Sequence, residues 1–260
     1  MIAWSTLGWV WIGSAIAMTL VWAYSRHVRN AGYVDVAWAA LMGAMGVCVA
    51  ALGRGAVLPR ALVGALVAAW GLRLFLHLYA RVHGHAEDAR YANLRAHWNG
   101  DERKFLLFFQ AQAVIVTLFA IPLVVAAANP VPGPTAWTIA GVATWIVAVG
   151  GESLADRQLA AWIADPAHRG RSCRSGLWAW SRHPNYFFEW VHWFAYALLA
   201  VGAPMGWLAW LGPALMFAFL YRLTGIPYNE AQSLRQLGDD YRAYQREVSA
   251  FFPWPPRRTG

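Results

Sequence analysis

Apolar runs of about 18–20 residues, long enough to cross a ~30 Å hydrocarbon core as helix, recur along the chain with short polar segments between them. The pattern predicts seven spans, at residues 2–24, 33–52, 56–80, 105–128, 136–155, 186–201 and 205–222. No basic residue precedes the apolar core of the first, so it reads as a retained helix and not as a signal peptide. Only Gly202-Ala203-Pro204 separates the last two. The expected fold is all-α: one polytopic membrane domain over residues 1–260, with polar loops at about 81–104 and 156–185 and a polar tail at 223–260.

Composition strengthens this reading. Apolar residues make up 59% of the 260 and charged residues 13%, about half the roughly 25% of soluble domains. With 17 Trp and a mean hydropathy of +0.37, the chain has too little charge to coat a water-soluble surface. A disordered, collagen-like or disulfide-scaffold protein is excluded. Cys48 in an apolar run and Cys173 in a basic loop form no metal-ligand spacing. The net charge of +8 does not point to nucleic acid, because the basic residues sit between apolar runs and not on one soluble face.

Eighteen of the 21 basic residues fall after the first, third and fifth spans and in the tail. Arg54 and Arg60 lie alone on the other side, and Arg73 within the third span. The positive-inside rule then predicts an outside N-terminus and a cytoplasmic C-terminus, which an odd number of spans satisfies. The expected location is a bacterial inner membrane, with the active site open to the cytoplasm. Lys104 is the single lysine, and so marked an excess of Arg favours forked recognition of carboxylate or phosphate.

Ionisable residues within spans are costly and mark functional candidates. Asp35 begins the second span in Gly32-Tyr33-Val34-Asp35-Val36-Ala37-Trp38; it reads equally as a carboxylate stabilising the helix start. Arg73 lies two helical turns from Arg81, on one face of the third span. The segment Glu87-Asp88-Ala89-Arg90-Tyr91, with Arg95 four residues on, reads as either a site or a solvated turn. Glu152 and Asp156 share a helix face, a pairing that calls for a donor such as a ribose or an Arg.

The densest cluster runs from Gly176 to Glu189 and holds Trp178, Arg182, His183, Pro184, Asn185 and Tyr186. Pro184 is predicted to open the sixth span, which sets Arg182 and His183 at an anion-attracting helix N-terminus. A lipid-headgroup motif needs only charge and leaves Asn185, Tyr186 and Glu189 without a role. The tail at 230–248 is predicted to be an amphipathic helix with Leu234, Leu237, Tyr241, Tyr244 and Val248 on one side. There is no GxGxxG fingerprint, Walker loop, nucleophile elbow or HExxH, so a dinucleotide would bind between helices and Arg-rich loops.

The segment from Asp156 to Glu189, its Arg-His-Pro-Asn-Tyr core, and the ending Glu230…Asp240-Tyr241…Tyr244…Pro253 resemble the bacterial steroid 5α-reductase-like membrane proteins. The similarity covers nearly the whole chain. The Arg-His-Pro-x-Tyr element also occurs in isoprenylcysteine and phospholipid methyltransferases, which bind S-adenosylmethionine. The Asp-Val-Ala-Trp and Glu-Asp-x-Arg-Tyr segments tip the resemblance toward the reductases.

The resemblance implies a seven-helix enzyme with NADPH in a cytosol-facing cavity, reducing the 4,5 double bond of a 3-oxo-Δ4 steroid or a related enone lipid. It implies no metal, no nucleic acid and no obligate protein partner. Asp35 falls near the Gln-Glu position of the family, without a matched Gln. The third-span Tyr has no match, Trp70 lying closest, so Tyr33 or Tyr91 is expected to act as the acid, oriented by Asp35; Trp38 joins Asp35 on the substrate side. Glu152 stands where the reductases carry Asn. The expected phosphate contacts are Arg73, Arg81, Arg90, Arg171, Arg174 and Arg182. Asp88, Tyr91, Trp178, His183 and Tyr186 belong to the same cofactor set, and Glu152, Asp156, Asn185 and Glu189 would hold the nicotinamide and ribose. Tyr241 and Tyr244 would close the cytosolic mouth. The alternatives are a methyltransferase and a non-enzymatic lipid-binding protein.

Overall fold

A computed structural model describes residues 2–223 and 225–257. All regular structure among them is helical, and the residues partition into two compact units, Met1–Thr135 with Leu199–Ala209, and Ala136–Leu198 with Trp210–Gly260.

The first unit holds α1 (Ser5–Val28), α2 (Tyr33–Leu52), α3 (Val57–Val82), α4 (Ala89–His97) and α5 (Glu102–Ala126). Here α2 packs chiefly on α3, and α1 on α5. The first contact exists because small residues let two backbones meet, the usual means of helix association in a membrane. A Cβ added to Gly71 would lie 2.6 Å from the Gly43 Cα, and one added to Gly64 would lie 2.6 Å from the Ala50 Cβ. Beneath the polar end, Phe105, Phe109, Ala113, Met18 and Val34 form a buried apolar cluster. Asn129 closes the far end by donating to the Leu199 and Val201 carbonyls, 2.9 Å each.

The second unit holds α6 (Ala136–Ala164), α7 (Pro184–Leu199), α8 (Leu211–Ala218), α9 (Ile226–Leu237) and α10 (Asp239–Glu247). A five-residue π turn, Phe219–Leu223, follows α8. Gly151 abuts the Phe188 ring and the Asn185 amide donates to Asp156 at 3.2 Å, so α6 and α7 run side by side and antiparallel.

Six helical segments are long and apolar enough to cross a membrane: α1, α2, α3, α5, α6 and the composite run Gly206–Leu237, which includes Thr224, outside the described residues. The span predicted at 186–201 is the 16-residue α7, roughly 24 Å at 1.5 Å per residue and short of a full ~30 Å core. Two other expectations change. Helix α6 continues to Ala164, nine residues past the predicted end, because residues 156–164 include good helix formers such as Leu159, Ala160 and Ala161 and no Gly or Pro. The tail is two helices, broken where Gly238 adopts φ 55°. Leu234, Leu237, Tyr241, Tyr244 and Val248 still form one apolar cluster across the break. Exposed Trp9, Ile16 and Leu20 on α1 and Leu72 and Leu76 on α3 are the surface of a lipid-immersed helix.

The close α2–α3 approach predicts that Gly71→Leu lowers the thermal unfolding temperature in detergent by several degrees, an overpacking cost of about 1–3 kcal/mol. Gly150→Ala should leave it unchanged, since nothing lies within 4 Å of that position's Cβ.

Candidate functional site

In the first unit, the entry to α2 is tied to the loop before α4. The Gly32 N–H donates to Asn30 Oδ1 at 3.0 Å, the Ala31 N–H to Glu87 Oε1 at 2.8 Å, and the Asn30 amide to the His85 carbonyl at 3.2 Å. These contacts bring α4 to the first turn of α2, where Asp35 waits. Asp35 lies in the first turn of α2, and its carboxylate accepts the Tyr91 hydroxyl at 2.7 Å and Arg90 Nη2 at 3.0 Å.

Charge alternates outward from there. Asp88 caps α4 by accepting the Arg90 backbone N–H at 2.9 Å, takes Arg90 Nε at 3.2 Å on the same oxygen, and takes Arg81 Nη2 at 2.7 Å on the other. A cavity of about 120 Å³ opens beside this row, lined by Asp35, Arg81, Asp88, Arg90 and Tyr91 together with Leu78 and Val82. Burial, and then the Asp35 carboxylate, push the Tyr91 phenol well above its ordinary 10.0. Burial alone would raise the Asp88 carboxyl, but the Arg90 backbone N–H and the two guanidinium groups outweigh it and hold Asp88 below its usual value.

Of the two candidate acids, Tyr91 meets Asp35, whereas the Tyr33 hydroxyl lies 3.2 Å from His83 Nδ1. Trp38 packs edge-on against Trp70 and Phe119, 6.1 Å to each ring, and Trp70 is fully buried in the core. Arg73 sits half-buried within α3. Glu87 and Arg95 are the residues whose role the sequence did not single out: Arg95 grips Glu87 at 2.9 Å and Glu102 at 3.0 Å. Their acid–base spacing around α4 is the available signal.

In the second unit Pro184 opens α7, as its fixed φ favours, and the residues before it anchor the tail. Arg182 Nε and Nη2 lie 2.7 and 2.6 Å from Glu230 Oε1, while Nη1 donates to the carbonyls of Gln245 and Val248. Arg182 is buried and its guanidinium is fully engaged within the protein. His183 Nε2 lies 3.4 Å from the same Glu230 oxygen, and the ring stacks on Tyr186 at 5.5 Å. Burial pulls the His183 imidazole below its ordinary 6.5 despite Glu230. The tail motif that begins at Glu230 does not reveal its Arg182 partner, and no local pattern marks Gln245.

The loop before α7 carries the remaining tail contacts. Arg174 bonds Glu247 at 3.1 Å and the Asp240 carbonyl at 2.8 Å, and the Ser172 N–H donates to Asp240 at 2.7 Å. Burial would raise the Asp240 carboxyl, but Ser172, Arg174 and Arg171 bring it below its ordinary 3.8. The Tyr244 hydroxyl donates to the Trp178 carbonyl at 2.6 Å, and the Trp178 indole donates to the Ala155 carbonyl at 2.9 Å. Burial, then Glu230, push Tyr241 up to about 12. On the α6–α7 face, Glu152 and Glu189 are both buried, and Glu189 Oε1 lies 3.9 Å from His192 Nδ1. Among the described residues no group of three His, Cys, Asp or Glu side chains is arranged for a metal.

The fold and these contacts define a class: an all-helical membrane protein whose polar parts are built from paired guanidinium and carboxylate groups, with a buried phenol in one of them. The chain matches the family described as "Protein of unknown function (DUF1295)" over residues 21–248 and belongs to it. It is 36% identical over 84 residues to an uncharacterized protein of Schizosaccharomyces pombe, covering 30% of this chain and 23% of that one. It is 34% identical over 83 residues to a Mycobacterium tuberculosis protein named methanethiol S-methyltransferase, covering 32% of this chain and 31% of that one. The chain thus spans less than a third of the length of these relatives. No solved structure matches it.

Removing one partner of a buried ion pair strands the other. Arg182→Gln is therefore expected to cost about 3–5 kcal/mol and to free the tail, read as faster limited proteolysis between residues 230 and 250 at unchanged helix content. A folded-state imidazole held below 6.5 contributes stability that is complete above that value and lost as pH falls. The melting temperature should accordingly decline on acidification from pH 7 to 5, and His183→Gln should flatten that decline; Asp240 adds its own loss only below 3.8.

Proposed function

We propose that the protein is a membrane enzyme that reduces the 4,5 double bond of a 3-oxo-Δ4 steroid, or of a related apolar enone, with NADPH. One observation carries this reading: a buried Tyr91 phenol, raised in pKa, fixed at 2.7 Å by Asp35 beside a cavity. Hydride addition to the β-carbon of an enone builds negative charge on its carbonyl oxygen. A preorganised proton donor aimed at that oxygen supplies the largest stabilising term. Tyr91 would be that donor by turning its single proton from Asp35, which accepts it in the substrate-free protein, to the enone oxygen, while Arg90 balances the charge left on Asp35. NADPH, when bound, supplies the hydride.

The donor set of the second unit fits the polar groups of such a cofactor. The Asn185 amide with Asp156, and the buried Glu152 and Glu189, suit ribose hydroxyls and a carboxamide. Exposed Arg171 suits a phosphate. Arg174 and Arg182 hold carboxylates first and would act through the loop they brace, with Trp178, His183, Tyr186, Tyr241 and Tyr244 shaping it. Seven crossings with α7 as the short one, the C-terminus in the cytoplasm and an inner-membrane location complete the reading.

A second reading, S-adenosylmethionine-dependent methyl transfer, is favoured by the 34% identity to the protein named methanethiol S-methyltransferase and needs no 2′-phosphate contact. Thermal shift in detergent separates the two, since a ligand at a hundred times its Kd stabilises by about 2.7 kcal/mol. NADPH is expected to raise the melting temperature, NADH less and S-adenosylmethionine not at all. NADPH oxidation should depend on added progesterone or testosterone, and Tyr91→Phe should lower kcat by about 10²–10³ with cofactor binding intact. Stabilisation by S-adenosylmethionine alone, or full turnover by Tyr91→Phe, defeats the reductase assignment.

A further inference from the structure

Beyond α10, the end of the chain folds back to bound a second cleft in the second unit. It measures about 440 Å³ and is lined by Arg182, Gln245, Arg246, Ser249, Trp254 and Arg257, among others. The fold-back is specific: the Trp254 N–H donates to the Trp180 carbonyl at 3.0 Å and the Arg257 N–H to the Glu247 carbonyl at 2.8 Å. Charge in the cleft does not cancel. Arg182 is committed to Glu230 and two carbonyls, and Glu247, the cleft's carboxylate, is held by Arg174 at 3.1 Å. Arg246 and Arg257 are exposed, and neither side chain has a carboxylate partner among the described residues.

Trp254 lines the cleft with this pair of cations; Phe252 lies two residues before it, and the Trp180 carbonyl accepts the Trp254 N–H. Trp254 is 69% exposed, Phe252 50% and Trp180 47%. Pro253 and Pro255 bracket Trp254, fixing the backbone on both sides of the indole. Rings left in water on a rigid segment beside unpaired guanidinium groups match the chemistry of a bilayer interface, where indoles lie at headgroup depth and basic side chains meet anionic headgroups. A free phosphate would use the guanidinium groups and have no use for the rings.

We infer that this cleft docks the headgroup of an anionic membrane phospholipid, its phosphate between Arg246 and Arg257 and its glycerol–acyl end against Trp254. This surface is independent of the reaction proposed above. It gives the tail a lipid contact that tunes its position to the charge of the membrane.

The test is a titration of the purified full chain in detergent with phosphatidylglycerol, phosphatidylcholine or inorganic phosphate, bound molecules being counted by native mass spectrometry. Each cation near an anionic surface is worth roughly fivefold in affinity. The wild type should prefer phosphatidylglycerol over phosphatidylcholine about twenty-fivefold, and Arg246→Gln/Arg257→Gln should bring that ratio near one. Trp254→Ala should weaken both lipids alike. Equal binding of the two lipids by the wild type, or an undiminished preference in the double variant, overturns the proposal. So does inorganic phosphate that competes as strongly as the lipid while Trp254→Ala changes nothing, which would make this a soluble-anion site. Melting temperature in phosphatidylcholine is measured in parallel; should the double variant unfold, Arg257→Gln alone decides, with a fivefold loss expected and an unchanged ratio refuting.

Discussion

A guanidinium beside a low-dielectric interior must have its charge answered, and the polar parts of this protein are organised by that requirement. Arg90 lies between Asp35 and Asp88, Arg95 between Glu87 and Glu102, Arg174 between Asp240 and Glu247, and Arg182 against Glu230. Four of these seven pairs join partners 48 to 73 residues apart, so satisfying the charge also closes the chain. The positions of α4 and of the tail follow from electrostatic necessity as much as from apolar packing, which near these residues is confined to small clusters.

The same pairing fixes the chemistry that each group can offer. A carboxylate with one oxygen on Arg90 has the other available to hold a phenol, and Tyr91 occupies it. Burial keeps the phenol protonated, and that proton is donated to the Asp35 carboxylate. In the second unit the pairing works the opposite way. Arg182 donates from Nε and both terminal nitrogens, and Arg174 from its two terminal nitrogens, to carboxylates and backbone carbonyls, which makes them braces for the loop before α7. Their neighbours Asn185, Glu189 and Glu152 hold the polar groups of the α6–α7 face. A cluster that looks from composition like a crowd of anion-binding arginines therefore includes two, Arg174 and Arg182, that brace the fold.

Much of the architecture was legible along the chain. The helices at Tyr33–Leu52 and Val57–Val82 lie within two residues of the apolar runs that predicted them, because transfer of a long apolar segment into lipid is a local property that needs no partner. Pro184 marks the start of α7 for an equally local reason. The tail's apolar stripe survived as one cluster, but the chain achieves it with two helices turned at Gly238, a change that spacing cannot reveal because both arrangements keep the same residues together. Asp35 was legible as the partner of a Tyr, but the choice between Tyr33 and Tyr91 needed the fold, which brings Tyr91 to it; Glu87 and Arg95 were legible as charges and not as the clamp on the start of α2. Glu230 and Gln245 carried no local mark of their partnership with Arg182, from which they are separated by 48 and 63 residues.

By itself, then, the order of residues determined that this chain is helical, lipid-immersed and crowded with charge in its loops, since helix length, hydrophobic transfer and the scarcity of carboxylates within apolar runs depend on nothing beyond neighbours. Only the tertiary structure decided which of twenty arginines meets which of thirteen carboxylates. Along the sequence those groups are nearly interchangeable. Coulomb attraction and hydrogen-bond geometry distinguish them only at contact distances of about 3 Å, and folding alone sets those distances.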